Sequence, residues 1–194
     1  MIRTPVLSAI AASLLLGGCI SLTPEAPAQL LTLTSSAQVP AGHAREGDPA
    51  AALAVRTPAV TQRLNVTRIP VITSDSSLAY LADAYWVEKP AQLFANMLAE
   101  TIRSQGNRMV VTGGAMEYTA ATQLSGELAA MDYDAVSGSV IVRYDAVLQL
   151  AEGRVLTRRF EHRIDGIPAE ANAVGAALNE AANVVADQVA EWVG

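Results

Sequence analysis

The side chains able to do chemistry are few in this chain of 194 residues, and they are scattered. There are two histidines, His43 and His162, and one cysteine, Cys19. His43 stands in a stretch of linker composition, and His162 stands among Arg158, Arg159, Glu161 and Arg163. Histidines so differently placed make a poor metal pair, and the ordinary role for His162 is that of a solvated or ion-paired strand residue. Asp132, Asp134 and Asp145 fall near one expected hairpin end and could serve as an acid pair or a calcium site, although acids beside turns are common for turn chemistry alone. Gly113-Gly114 follows a strand-like run but opens no Lys-Ser/Thr helix, so it is not a phosphate-binding loop. The serines lack a nucleophile-elbow pattern, and nothing activates a nucleophile. The expectation is therefore binding or assembly, with no enzyme activity, no metal and no cofactor.

Cys19 reads differently, because of what precedes it. Arg3 is followed by an apolar run from Val6 to Leu16 and then by Gly17 and Gly18, the plan of a secretory signal too short to span a bilayer. Leu16-Gly17-Gly18-Cys19 resembles the bacterial lipobox. That resemblance implies cleavage between Gly18 and Cys19, a thiol diacylated with palmitate-type chains, and an acylated new N-terminus. Several chains anchor where one would not, since each buried methylene adds about 0.8 kcal/mol. The next residue is Ile20 rather than Asp, which by the same resemblance implies the periplasmic face of the outer membrane. A lone cysteine also excludes an internal disulfide or a Cys-rich zinc site.

The rest of the chain must form the body. The expected organisation is a removed signal at 1–18, an acylated N-terminus and tether at 19–29, and one domain over 30–194 with a linker-like loop at about 37–60. Half the residues are hydrophobic but only 5% are aromatic, so the core rests on aliphatic residues and alanine. The net charge of -6, with no Lys/Arg cluster along the sequence, argues against nucleic acid and against a polybasic membrane contact.

Leu30 to Ser36 reads as a short strand. Leu64 to Ile72 is β-rich, but Pro70 predicts an edge or a strand end there. From Pro90 to Gly106, Leu93, Phe94, Met97, Leu98 and Ile102 mark one face of a helix that Pro90 can open and Gly106 can end. Three alternating segments follow, with Leu124, Leu128 and Ala130 on one face of the first and Val140, Val142, Tyr144, Ala146 and Leu148 on one face of the second. Leu156, Phe160 and Ile164 face inward on the third, which follows a tight turn at Ala151-Glu152-Gly153. A last helix opened by Pro168 carries Val174, Leu178, Ala181, Val185, Val189 and Trp192 as a narrow stripe. The predicted class is α+β, an antiparallel sheet with two helices on one face.

One local feature stands out. Tyr80, Tyr85 and Trp86 are three of the nine aromatic residues and come just before the first helix. They form either a plug closing one end of the domain or a partner surface. Together with Cys19 in its lipobox, "LLTL", "VTRIPVI", Tyr80-Leu81 and "AYWVEKPAQLF", this segment resembles the auxiliary lipoproteins of ABC-type intermembrane transport systems, the PqiC-like group. The resemblance spans nearly the whole mature chain, with leucines at 30 and 31 where tyrosines are often seen. It implies a non-catalytic periplasmic part of a lipid or hydrophobic-solute transport system, beneath the outer membrane. It implies partnership with an MCE-domain protein, a permease and an ATPase, and ring assembly, with which exposed alanine-rich helix faces would be compatible. The readings from other classes are a stand-alone structural envelope lipoprotein and a membrane-tethered periplasmic hydrolase.

Overall fold

The computed structural model describes residues 29–106 and 108–194. The signal segment, Gly18, Cys19 and the tether up to residue 28 lie outside the described residues.

The spine of the fold is the 13-residue strand β6. In chain order the strands are β1 (Leu53–Val55), β2 (Ala59–Val60), β3 (Arg68–Ser74), β4 (Ser77–Tyr85), β5 (Val110–Val111), β6 (Thr122–Asp134), β7 (Ser139–Gln149) and β8 (Val155–Asp165). The helices are α1 (Pro90–Gln105), the short α2 (Gly114–Thr119) and α3 (Ala171–Val193). On one side of β6, β7 and then β8 pair antiparallel in the predicted meander. On its other side β1, β2 and β3 pair with it in succession, all parallel. β5 extends the sheet from β1, parallel, and β4 extends it from β3, antiparallel. The class is α+β as expected, but the sheet is mixed rather than antiparallel throughout. Parallel pairs need long connections, and here those connections contain α1 and the chain leading to β6.

α1 and α3 lie together on one face of the sheet. Phe94 of α1 meets Tyr144 of β7 edge to face at 5.3 Å, and Trp192 of α3 meets Phe160 of β8 at 5.6 Å. The predicted stripes of both helices are in the core, apart from the half-buried Trp192. α3 begins at Ala171, three residues after Pro168, which lies in a local turn closed by Glu170 N–H donating to the Pro168 carbonyl. Five of its eight alanines, Ala177, Ala181, Ala182, Ala186 and Ala190, are buried and not on an exposed face, because α1 packs along α3 and small residues let two helices approach closely.

The 37–60 segment is not a loop throughout. It contains β1, whose three residues are buried, because Leu53 and Val55 enter the main core while Ala52 and Ala54 join a second small cluster with Ala120. Leu30 to Ser36 forms no ladder, only an isolated parallel bridge between Leu31 and Trp86. β3 is internal, not an edge. Pro70 brings no N–H to the ladder, and the β3–β4 pairing is irregular beside it: Arg68 faces Tyr85 and Pro70 faces Tyr80, so a step of two residues in β3 meets a step of five in β4. A bulge of this kind lets an internal strand carry a proline. Another irregularity between Leu128 and Ala130 on β6 moves Ala130 off the inner face, and Met131 and Tyr133 take the inward positions instead. No described helix is long and apolar enough to cross a membrane.

Candidate docking surface

The aromatic segment divides between the two faces of β4. Trp86 is 2% exposed and belongs to the core. Its backbone N–H donates to the Thr67 carbonyl, while Leu31 N–H donates to Tyr85 O at 2.7 Å and Val87 N–H to Leu31 O at 2.8 Å. Trp86 thus joins the incoming chain to β4 and to α1, which starts at the buried Pro90.

From Leu31 the chain runs as a strap over the helices. Asn179 Oδ1 accepts from Thr34 N–H, and Asn183 Oδ1 accepts from Ser36 N–H, both at 2.7 Å, while Asn183 Nδ2 donates back to Thr34 O. Glu100 of α1 accepts from Val39 N–H at 2.8 Å. Asn179 and Asn183 stand one turn apart on α3, so their amides present to the strap what a neighbouring strand edge would.

Tyr80 and Tyr85 lie on the opposite face, away from the helices. Between them sits Arg68, its guanidinium carbon 4.7 Å from the Tyr85 ring centroid and 5.7 Å from that of Tyr80. Arg68 Nη2 donates to the Leu81 carbonyl, but Nε is buried and has no hydrogen-bond partner among the described residues. Nor does Arg68 have a carboxylate ion pair among them. Tyr80 is 38% exposed and Leu78, two residues back, is 44% exposed. The bulge also holds Asp83 in the left-handed region at φ 53°, a cost accepted by a non-glycine residue only where its surroundings fix it. The result is a tyrosine–arginine–tyrosine stack with an aliphatic neighbour on an edge strand. Tyr and Arg are the residues most enriched among energetic anchors of interfaces, and Arg stacks on rings while keeping donors for an acceptor group. The sequence reading missed Arg68. Its signal was an arginine two residues before Pro70 with no acid within β3.

The three acidic candidates are each engaged by other groups of the fold. Asp132 is 1% exposed and meets Arg63 at 2.9 Å. Burial raises its proton affinity above the ordinary carboxylate range, against the opposing pull of Arg63. Asp134 accepts from Ser137 Oγ at 2.6 Å and from the Val136 N–H within the β6–β7 turn, and the hydroxyl bond leads in lowering its pKa. Asp145 is lowered by its bidentate bond to Arg159 at 2.5 and 2.7 Å. The three acids therefore have separate partners, and no group of metal-binding geometry occurs among the described residues. His162 is half-buried on the inner face of β8, and His43 is exposed in the chain before β1.

The family model described as ABC-type transport auxiliary lipoprotein component matches residues 31–190. The fold is similar to the crystal structure of protein XCC0632 from Xanthomonas campestris, with a TM-score of 0.70 at 16% identity over 86% of this chain and 94% of that one. A crystal structure of an uncharacterized protein gives 0.66 at 14% identity, over 86% of this chain and 100% of that one. No curated protein matches.

Proposed function

The chain belongs to the family of ABC-type transport auxiliary lipoprotein components, and from that premise we propose that it is the lipid-anchored, non-catalytic periplasmic member of an MCE-type intermembrane transport system. Membership makes it an accessory of an ABC transport system in the cell envelope, working with partner proteins. The finer reading has Cys19 acylated after cleavage behind Gly18, the protein held at the outer membrane, and the cargo a lipid or other hydrophobic solute. Its partners are an MCE-domain protein, a permease and an ATPase, and the working form is a ring of copies. The observation that carries the docking role is the stack of Tyr80, Arg68 and Tyr85, a partner-ready surface beside the core residue Trp86. Its guanidinium, without a carboxylate partner among the described residues, suits an acidic group on the facing partner.

The test is capture of the lipidated protein from its own membranes. Wild type is expected to bring down an MCE-domain protein, and Tyr80→Ala with Arg68→Gln to reduce that recovery at least tenfold while the membrane fraction still holds the protein. Cys19→Ser is expected to move the protein to the soluble fraction. Recovery of no transporter component by wild type would overturn the docking role, and membrane retention of Cys19→Ser would overturn the anchor.

A further inference from the structure

At the other end of α1 from Trp86 the chain encloses a cleft of about 240 Å³, lined by Val39, His43, Arg45, Arg103, Arg108 and Met109. Three of the chain's arginines and one of its two histidines meet here in a protein whose net charge is -6. They come from three separate stretches of sequence.

What holds these arginines is mostly neutral. Arg45 donates to the carbonyls of Gly106 at 2.7 Å, Arg108 at 2.9 Å and Arg103 at 3.2 Å. Arg108 reaches the Val193 carbonyl at 3.4 Å. Arg103 donates to Val110 O and Thr112 Oγ1 and pairs with Glu100 at 3.5 Å. Among the described residues neither Arg45 nor Arg108 has a carboxylate within ion-pair distance. The ends of α1 and α3 attract cations, but a helix C-terminus carries only about half an elementary charge. Two helix ends and Glu100 offset part of the three guanidinium charges, and only one of the three arginines has a carboxylate side chain as partner among the described residues. Beside it lie the apolar side chains of Val39, Met109 and Val110.

We propose that this cleft binds a phosphate group that carries a short apolar portion. Guanidinium groups match phosphate oxygens, and three of them around one cleft, two with no carboxylate partner among the described residues, favour a phosphate over a neutral ligand. The volume lies below the range of about 300–1,000 Å³ for drug-sized ligands, so the site takes a headgroup-sized ligand and not a whole two-chain lipid. The 16 residues of α1, at about 1.5 Å each, set the cleft roughly 24 Å from Trp86, where the chain ahead of Leu31 joins the fold. The site is independent of the docking surface.

The test uses the lipidated protein in a neutral detergent, with carbon-13 methionine methyls read by NMR. Met109 lines the cleft, and the core residues Met97 and Met131 are internal references. Octyl phosphate is expected to move the Met109 methyl saturably and to leave Met97 and Met131 in place, while octyl glucoside does nothing. His43→Asp places a negative charge on the cleft wall at a side chain with no hydrogen bond among the described residues, so the fold is kept; affinity is expected to fall about tenfold. Arg45→Gln is expected to abolish binding. Saturation by inorganic phosphate alone identifies a free phosphate compound as the ligand. Saturation only by octyl phosphate and dihexanoyl phosphatidic acid identifies a lipid headgroup, and either result upholds the site. An equal shift with octyl glucoside, no Met109 response to any of the phosphates, or an unchanged affinity in His43→Asp would overturn it.

Discussion

The meander β6–β8 and the segment that precedes β3 hold the same molecule together by different means. In the meander every strand is long, β7 and β8 are paired along their full length, and two short turns close the hairpins. The segment from Leu31 to Val60 contributes one bridge, a strap and two short strands. It borrows its order, taking the register of β1 and β2 from the free side of β6, and the path of the strap from side chains on α3 and α1. A region that bonds to itself concentrates its weak points in its own backbone. A region that bonds to others is as firm as the side chains that hold it.

The sharpest break in this contrast is Gly126→Ala. Gly126 sits on β6 at φ 147°, and a Cβ there would run into the carbonyl oxygen of Asp145 on β7. Backbone must move against backbone, so a loss of roughly 3–5 kcal/mol in urea unfolding is expected. A loss under about 1 kcal/mol would mean that the ladder yields more easily than its regularity indicates.

Asn183→Ala probes the other region. It removes the acceptor for Ser36 N–H and the donor to Thr34 O, and about 1–3 kcal/mol is expected. Amide exchange should speed up at Ser36 and stay unchanged along β7. Equal acceleration in both places would show that strap and meander open as one unit.

The smallest effect is expected from acid, on the outer face of the meander. Asp134 and Asp145 have pKa values lowered from 3.8, so their contribution is complete above that value and is lost as pH falls below it. Asp132 has the opposite sign: its raised pKa means that the folded state takes up this proton first, above pH 3.8, and gains relative to the unfolded chain. Melting temperature should therefore hold or rise slightly as the pH is lowered towards 3.8 and fall below it. Asp132→Asn should remove the first part, and Arg159→Gln should soften the fall.

The same contrast explains what could be read from the sequence. Alternation over eleven or more residues made β7 and β8 legible, and the helix stripes named the buried faces of α1 and α3. β1 has three residues, too few for a period to appear, and it is strand only because Thr122 to Leu124 lie beside it. The irregularity at Ala129 turns Ala130 outward for a reason that no pattern of residue types records. Trp86 and Tyr85 are neighbours in sequence but belong to opposite faces, so the segment was readable as important and not as divided. Arg45, Arg103 and Arg108 form no cluster along the chain, and only the ends of two helices bring them together.

The pairing of Leu31 with Trp86 also determines how the molecule carries force. A pull on the chain ahead of Leu31 is taken first by two backbone hydrogen bonds on either side of Trp86, and through them by a side chain locked in the core. The amide contacts at Asn179 and Asn183 lie behind that point and are loaded only after it gives way. The strap is therefore shielded from tension by a junction that must shear before anything behind it can peel.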